Sequence, residues 1–176
     1  MSNLYDRITI SRESIHPEVI VLGNQKSGTS AIAHLLAYYG GMTKTIDTPV
    51  LWRKNARDIY TGKITLKKIV YKYPRPFKVQ LLKEPNLTFM FYQLYDLFPY
   101  AKYVFIIRNP YDNIRSILNR LNLKGNLEEL SEKHLNTVPE SWRNALTGLN
   151  FGKSKMNYIE SLAYRWNKAA EVYITN

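Results

Sequence analysis

The chain has 176 residues, enough for one domain with a full core, and no cysteine, which excludes a disulfide scaffold, a zinc ribbon and a thiol nucleophile. Hydrophobic residues make up 45% and charged residues 22%, a globular rather than a disordered composition. Lys and Arg number 25 against 14 Asp and Glu, a net charge of +11 that concentrates anions such as nucleic acid, acidic glycans, anionic membrane surfaces or multiply phosphorylated small molecules.

No internal repeat, low-complexity tract or Gly/Ser linker divides the sequence, so residues 1–176 are read as a single domain. Apolar runs such as Val19–Leu22 and Val104–Ile107 fall far short of the ~20 residues a membrane helix needs. The opening residues Met1–Ile8 carry no apolar h-region, and a soluble, cytoplasmic protein is expected. Val19–Leu22 is a short β-branched run with the character of a strand buried on both faces. The turn Gly23–Gly28 follows. Thr29–Tyr39 then reads as a helix, with Ile32, Leu35, Leu36 and Tyr39 at helical spacing and Gly40-Gly41 as its stop. His34 on this helix is expected to be packed or half-buried; His16 and His134 have no motif around them.

The run from Lys63 to Lys83 is basic throughout, with Tyr71, Tyr73 and Phe77 interleaved and no acidic residue. That pattern is compatible with nucleic acid, but no nucleic-acid motif accompanies it, and a solvated face is expected. Phe77–Leu82 is a candidate strand and Thr88–Leu97 a candidate helix, ended by Phe98-Pro99. Lys102–Ile107 is a further strand and Asn109–Leu121 a helix, with Asn109 as N-cap, Pro110 at the first helical position and Asp112 in the first turn. Ile114, Ile117, Leu118 and Leu121 give this helix its apolar stripe. Residues 122–152 show no clear pattern. Met156–Ile174 reads as a helix with Ile159, Leu162, Ala163, Trp166, Ala170 and Tyr173 on one face, Trp166 being assigned to the core. Alternating strands and helices predict an α/β fold, a parallel sheet with helices on both faces.

Gly23-Asn-Gln-Lys-Ser-Gly-Thr-Ser30 lies where a buried strand feeds a helix. Backbone N–H groups of such a turn, together with the helix N-terminus, form an anion cradle. Gly23, Gly28 and Ser30 match the Walker A spacing, but position 29 is Thr and the lysine is Lys26, inside the loop. The Lys-Ser/Thr pair of a magnesium-dependent kinase or NTPase is therefore broken. A lysine inside the loop can instead neutralise charge on a bridging oxygen as a leaving group departs. Arg108-Asn-Pro-Tyr-Asp-Asn-Ile-Arg-Ser116 begins at the C-terminal end of the later strand, the edge at which open α/β sheets bind ligands. Arg108 offers a bidentate fork, and Ser116 returns to the same face about two turns after Asn109.

Together, Lys26-Ser-Gly-Thr-Ser30 and Arg108-Asn-Pro-x-Asp112-x-x-x-Ser116 resemble the 5′-phosphosulfate loop and the 3′-phosphate motif of sulfotransferases that use 3′-phosphoadenosine 5′-phosphosulfate (PAPS). The resemblance spans roughly residues 18–121, preserves the order of the motifs and implies the P-loop-like parallel β-sheet of that family, flanked by helices on both faces. It implies that Lys26 contacts the bridging oxygen and 5′-phosphate of PAPS. Ser27, Gly28, Thr29 and Ser30 would hold the phosphosulfate, and Arg108 and Ser116 the 3′-phosphate. It implies no metal, and a small-molecule or glycan acceptor. Chains of that family continue past the last helix seen here with a further strand and a covering loop, so a C-terminally shorter variant is expected.

Sulfuryl transfer to a hydroxyl or amine needs a base for the acceptor's proton. The family's K-x-H-x-P type segment corresponds to Leu82-Lys-Glu-Pro85, which has no histidine. Other branches use a carboxylate about twenty residues after the loop lysine; Asp47, 21 residues beyond Lys26, fits that place. Glu84 is the alternative base, and Lys83 resembles the lysine of the family's element. Two other functions fit the residues: a P-loop kinase or NTPase, and a non-catalytic nucleotide- or nucleic-acid-binding module.

Overall fold

The computed structural model describes residues 17–126, 130–148, 151 and 156–176. Val19–Gly23 forms β1, buried along its whole length, as its apolar, β-branched sequence requires. It pairs in parallel with β3 (Leu81–Lys83) on one side and β4 (Lys102–Ile106) on the other, and β2 (Lys44–Ile46) completes the order β2-β3-β1-β4. The connections carry α1 (Thr29–Tyr39) between β1 and β2. They carry α2 (Arg53–Tyr60) and α3 (Leu66–Lys72) before β3, and α4 (Phe91–Leu97) before β4. Then follow α5 (Pro110–Leu121), α6 (Glu132–Thr137), α7 (Glu140–Thr147) and α8 (Tyr158–Thr175).

Alternate residues of β1 face opposite layers, as strand periodicity dictates. Ile20 and Leu22, with Leu82, join side chains of α2, α3 and α4 in the larger core cluster; Val19 and Val21, with Leu81, pack on Ala33 and Ala37 of α1. The all-parallel sheet is thus flanked by helices on both faces. A separate cluster joins α5, α7 and α8 through Ile117, Leu118, Leu146 and Leu162. Each fully buried aliphatic side chain contributes about 1.5–3 kcal/mol. Among the described residues, no helix is long and apolar enough to cross a membrane.

Several elements differ from the sequence expectation. The strand expected at Phe77–Leu82 runs instead over Leu81–Lys83, and Arg75–Phe77 is a 3-10 turn. Pro74 and Pro76 favour that turn, because proline offers no N–H to a ladder. The helix expected at Thr88–Leu97 is split: Pro85–Met90 is 3-10 and α4 starts at Phe91. Thr88 is committed elsewhere. Its hydroxyl accepts from the Gly23 N–H at 2.8 Å and donates to the Gly23 carbonyl at 3.2 Å. On α1 the buried residues are Thr29, Ala33 and Ala37, while Leu35, Tyr39 and His34 are exposed, against the expected stripe and the expected packed histidine. Small side chains allow the helix to lie close on β1 and β3. On α8 the buried face is Tyr158, Ser161, Leu162, Arg165 and Ala169, rotated from the expected stripe, and Trp166 is half-buried rather than core.

Gly23 ends β1 with φ +142°, and a Cβ there would meet the Ile106 carbonyl oxygen at 2.4 Å and Thr29 Cγ2 at 2.9 Å. The strand-to-helix turn is therefore possible only with glycine at this position. Gly23→Ala is expected to destabilise the fold by about 2 kcal/mol or more in urea unfolding. Gly28→Ala, with φ +95° but no atom near the added Cβ, should lose only about 1 kcal/mol from backbone strain.

Candidate active site

In a parallel sheet all strands deliver their following loops to one edge. Here β1 leads into the Gly23–Gly28 turn, β2 into Asp47, β3 ends at Lys83 and continues into Glu84, and β4 leads to Arg108. The result is a cleft of about 560 Å³ lined by Lys26, Gly28, Thr29 and Ser30 from the turn, by Asp47, Lys83 and Glu84, and by Arg108 and Ser116. Residues 82 positions apart in sequence meet directly: Arg108 Nη1 donates to the Lys26 carbonyl at 3.0 Å.

The turn presents its positive end to this cleft. Gly28 is the N-cap of α1, no side chain caps that helix, and its first turn holds no acidic residue. The N-termini of α2, α4 and α7 likewise lack a side-chain cap, whereas α3, α5, α6 and α8 are capped by Thr65, Asn109, Ser131 and Asn157; the α1 N-terminus is the one at the Gly28–Ser30 lining of the cleft. The first-turn N–H groups of α1 have no carbonyl one turn back to bond, so an anion in the cleft is their natural acceptor. Lys26 is exposed, in the left-handed region at φ 64°. Of the expected loop residues, Ser27 alone does not line the cleft. It is buried, and its Oγ accepts from Asn113 Nδ2 at 3.1 Å, behind the loop rather than toward the cleft.

The two candidate carboxylates differ sharply. Asp47, at φ 58°, accepts a 2.6 Å hydrogen bond from Lys83 Nζ while its side chain stays 40% exposed. Lys83 itself is buried, so it is not part of a solvated basic face. Glu84 is 1% exposed. One of its oxygens accepts from the Thr48 N–H and the Trp52 indole N–H, both at 2.9 Å, and the other from the Asn86 N–H at 3.1 Å. Burial pushes this carboxyl up to about 7, against the opposing pull of those three donors. Glu84 thereby ties the segment after β2 to the segment after β3 at the floor of the cleft.

Sequence reasoning missed several residues of the site. Arg120, Trp52 and Trp142 line the cleft. Asn113 is fully buried; its Nδ2 donates to the Gln25 carbonyl at 2.8 Å as well as to Ser27, and its Oδ1 accepts from Asn24 Nδ2 at 2.9 Å. Its place inside the Arg108–Ser116 motif, opposite the solvent-facing Asp112, was the available signal. Arg165, also buried, left only a faint one: a charged residue one step from Leu162 along an apolar helix face. No family model matches the chain, and no curated protein matches it.

Because the Glu84 carboxyl titrates higher in the folded protein than its ordinary 4.5, the folded state holds a proton that the unfolded state has lost between about pH 4.5 and 7. Stability should therefore fall as pH rises through that window. In denaturant unfolding at a series of pH values, Glu84→Gln is expected to flatten this decline relative to the wild type. An identical slope in the two proteins would show that Glu84 is not the group responsible.

Proposed function

We propose that the cleft binds PAPS and that the protein transfers its sulfuryl group to a hydroxyl or amine of a small-molecule or glycan acceptor. The observation that carries this reading is that both anion motifs, remote in sequence, line a single cleft. The residues fit such a ligand. Lys26, Arg108 and Arg120 supply positive charge, α1 offers uncapped N–H groups, and Gly28 leaves open space where a Cβ would stand. On this reading the sheet is a P-loop-like nucleotide platform that works without a metal.

PAPS supplies an activated sulfuryl group whose leaving phosphate gains charge as the bond breaks. Lys26 and the N–H groups of Gly28, Thr29 and Ser30 stabilise that charge, while Ser27, whose N–H donates to the Asn24 carbonyl at 3.3 Å, shapes the loop behind them. Arg108 and Ser116 hold the 3′-phosphate, the arginine through its planar fork. Asp47 takes the acceptor's proton. Lys83 fixes the Asp47 carboxylate at the cleft wall. Glu84, with both oxygens engaged by N–H donors, is assigned to shaping the floor rather than to proton transfer.

The reading is tested by thermal shift with adenosine 3′,5′-bisphosphate against ADP plus magnesium. Stabilisation by the first and not the second is expected; the reverse would indicate a kinase or NTPase, and steeply salt-dependent binding of RNA or DNA a nucleic-acid module. Lys26→Ala is expected to lower sulfate transfer by about 10² or more with the fold retained. Asp47→Asn should abolish transfer while leaving bisphosphate binding intact. Full activity in Asp47→Asn would return the base to Glu84.

A further inference from the structure

Two consecutive residues of α8 grip the two anion motifs, one each. Arg165 is 1% exposed. Its Nε donates to Gln25 Oε1 at 2.8 Å and to Asn24 Oδ1 at 3.2 Å, its Nη2 donates to Asn86 Oδ1 at 3.1 Å, and its guanidinium lies 4.2 Å from the Phe89 ring centroid. Among the described residues no carboxylate is within ion-pair distance of it. Burial disfavours its charge, which a hydrogen bond with Tyr60 and the nearby Glu84 carboxylate support, and its Nε is fastened to the base of the Gly23–Gly28 turn. Trp166, the next residue, donates its indole N–H to the Arg108 carbonyl at 2.9 Å.

We propose that Arg165 and Trp166 are positioning residues that brace the two phosphate subsites, Arg165 holding the loop subsite and Trp166 the Arg108 subsite. The inference rests on the proposed binding of a bisphosphorylated adenosine. Because the side chains of neighbouring helix residues diverge by about 100°, α8 reaches both motifs at once. The β1–β4 pairing sets Gly23 opposite Ile106, and α8 braces the two motifs beyond those strand ends. Trp166 does not touch the Arg108 guanidinium; it acts through the backbone that carries it. Its loss should therefore be felt only by a ligand that uses that guanidinium.

Titration calorimetry on the full chain compares adenosine 3′,5′-bisphosphate with adenosine 5′-monophosphate. The wild type should bind the bisphosphate more tightly. Trp166→Phe keeps the ring and removes only the N–H. It is expected to weaken the bisphosphate by about 3- to 10-fold, the worth of one net hydrogen bond, and to leave the monophosphate unchanged. Arg165→Lys keeps the charge and removes the fork, and should weaken both ligands. If Trp166→Phe weakens both equally, or neither, the assignment of Trp166 to the 3′ end is overturned. If Arg165→Lys folds and binds both ligands normally, the role of Arg165 is overturned; if it does not fold, Gln25→Ala, which removes the loop acceptor of Arg165 Nε, takes its place, and normal binding of both ligands by that variant overturns the role of Arg165. A wild type that shows no preference for the bisphosphate would overturn the underlying nucleotide reading instead, a result distinct from a preference that persists in Trp166→Phe.

Discussion

A loop that offers its backbone N–H groups to a ligand cannot use those same groups to hold its own shape, so its shape must be held from behind. Here two buried amides and one buried guanidinium do so. Asn113 reaches from α5 to the Gln25 carbonyl and the Ser27 hydroxyl, Asn24 returns a bond to Asn113, and Arg165 closes the far side on Asn24 and Gln25. Each such bond is worth only about 0.5–1.5 kcal/mol net, but a buried amide or guanidinium left without its partner costs more. The network is therefore close to all-or-none, and it joins the first motif, the second motif and the last helix into one polar unit. The Thr88 hydroxyl pins the strand end at Gly23 from a fourth segment.

The basic charge separates into two populations with different physical roles. Lys63, Lys67, Lys68, Lys72, Arg75 and Lys78 are exposed, and on α3 the residues between them, Leu66, Ile69 and Val70, are buried. That is the arrangement of an amphipathic surface helix, and it explains the basic run without a ligand. Lys83 ends the same run but belongs to β3, an inner strand buried along its whole length, where Asp47 meets its amine. A run of identical charges in sequence is thus divided by secondary structure into a solvated face and one site residue.

What the sequence disclosed was what local chemistry decides. β1, the Gly23–Gly28 turn, the bounds of α1, and α5 with its Asn109 cap were all readable, because strand composition, glycine and capping act within a few residues. Three-residue strands such as β2 and β3 were not readable at their true positions, since they are defined by register with β1 and not by their own propensity. The buried faces of α1 and α8 were misjudged for the same reason. On α1 close approach to the sheet selects alanine over leucine and tyrosine, and on α8 a polar pocket prepared by other segments selects Arg165 for the interior. Asp47, Lys83, Arg108 and Ser116 were found by motif, and the fold draws them to one cleft; Asn113, Trp52, Trp142 and Arg120 have meaning only once the fold exists.

Two carboxylates at one sheet edge acquire opposite characters from their surroundings. Asp47 follows β2 in a left-handed turn that leaves its side chain at the cleft wall, with one oxygen held by Lys83. Glu84 follows β3 directly, one residue after the buried Lys83, and its side chain is captured by N–H donors from Thr48, Trp52 and Asn86. Proton transfer to a substrate needs a carboxyl oxygen that an acceptor can approach, a demand that exposure meets and triple hydrogen bonding opposes. The Asp47 N–H also donates to the Lys83 carbonyl at 2.9 Å, so backbone and side chain of the pair are linked at both ends. An aspartate so fastened presents its carboxylate in one place, and orientation of that kind is what a general base requires of the fold that carries it.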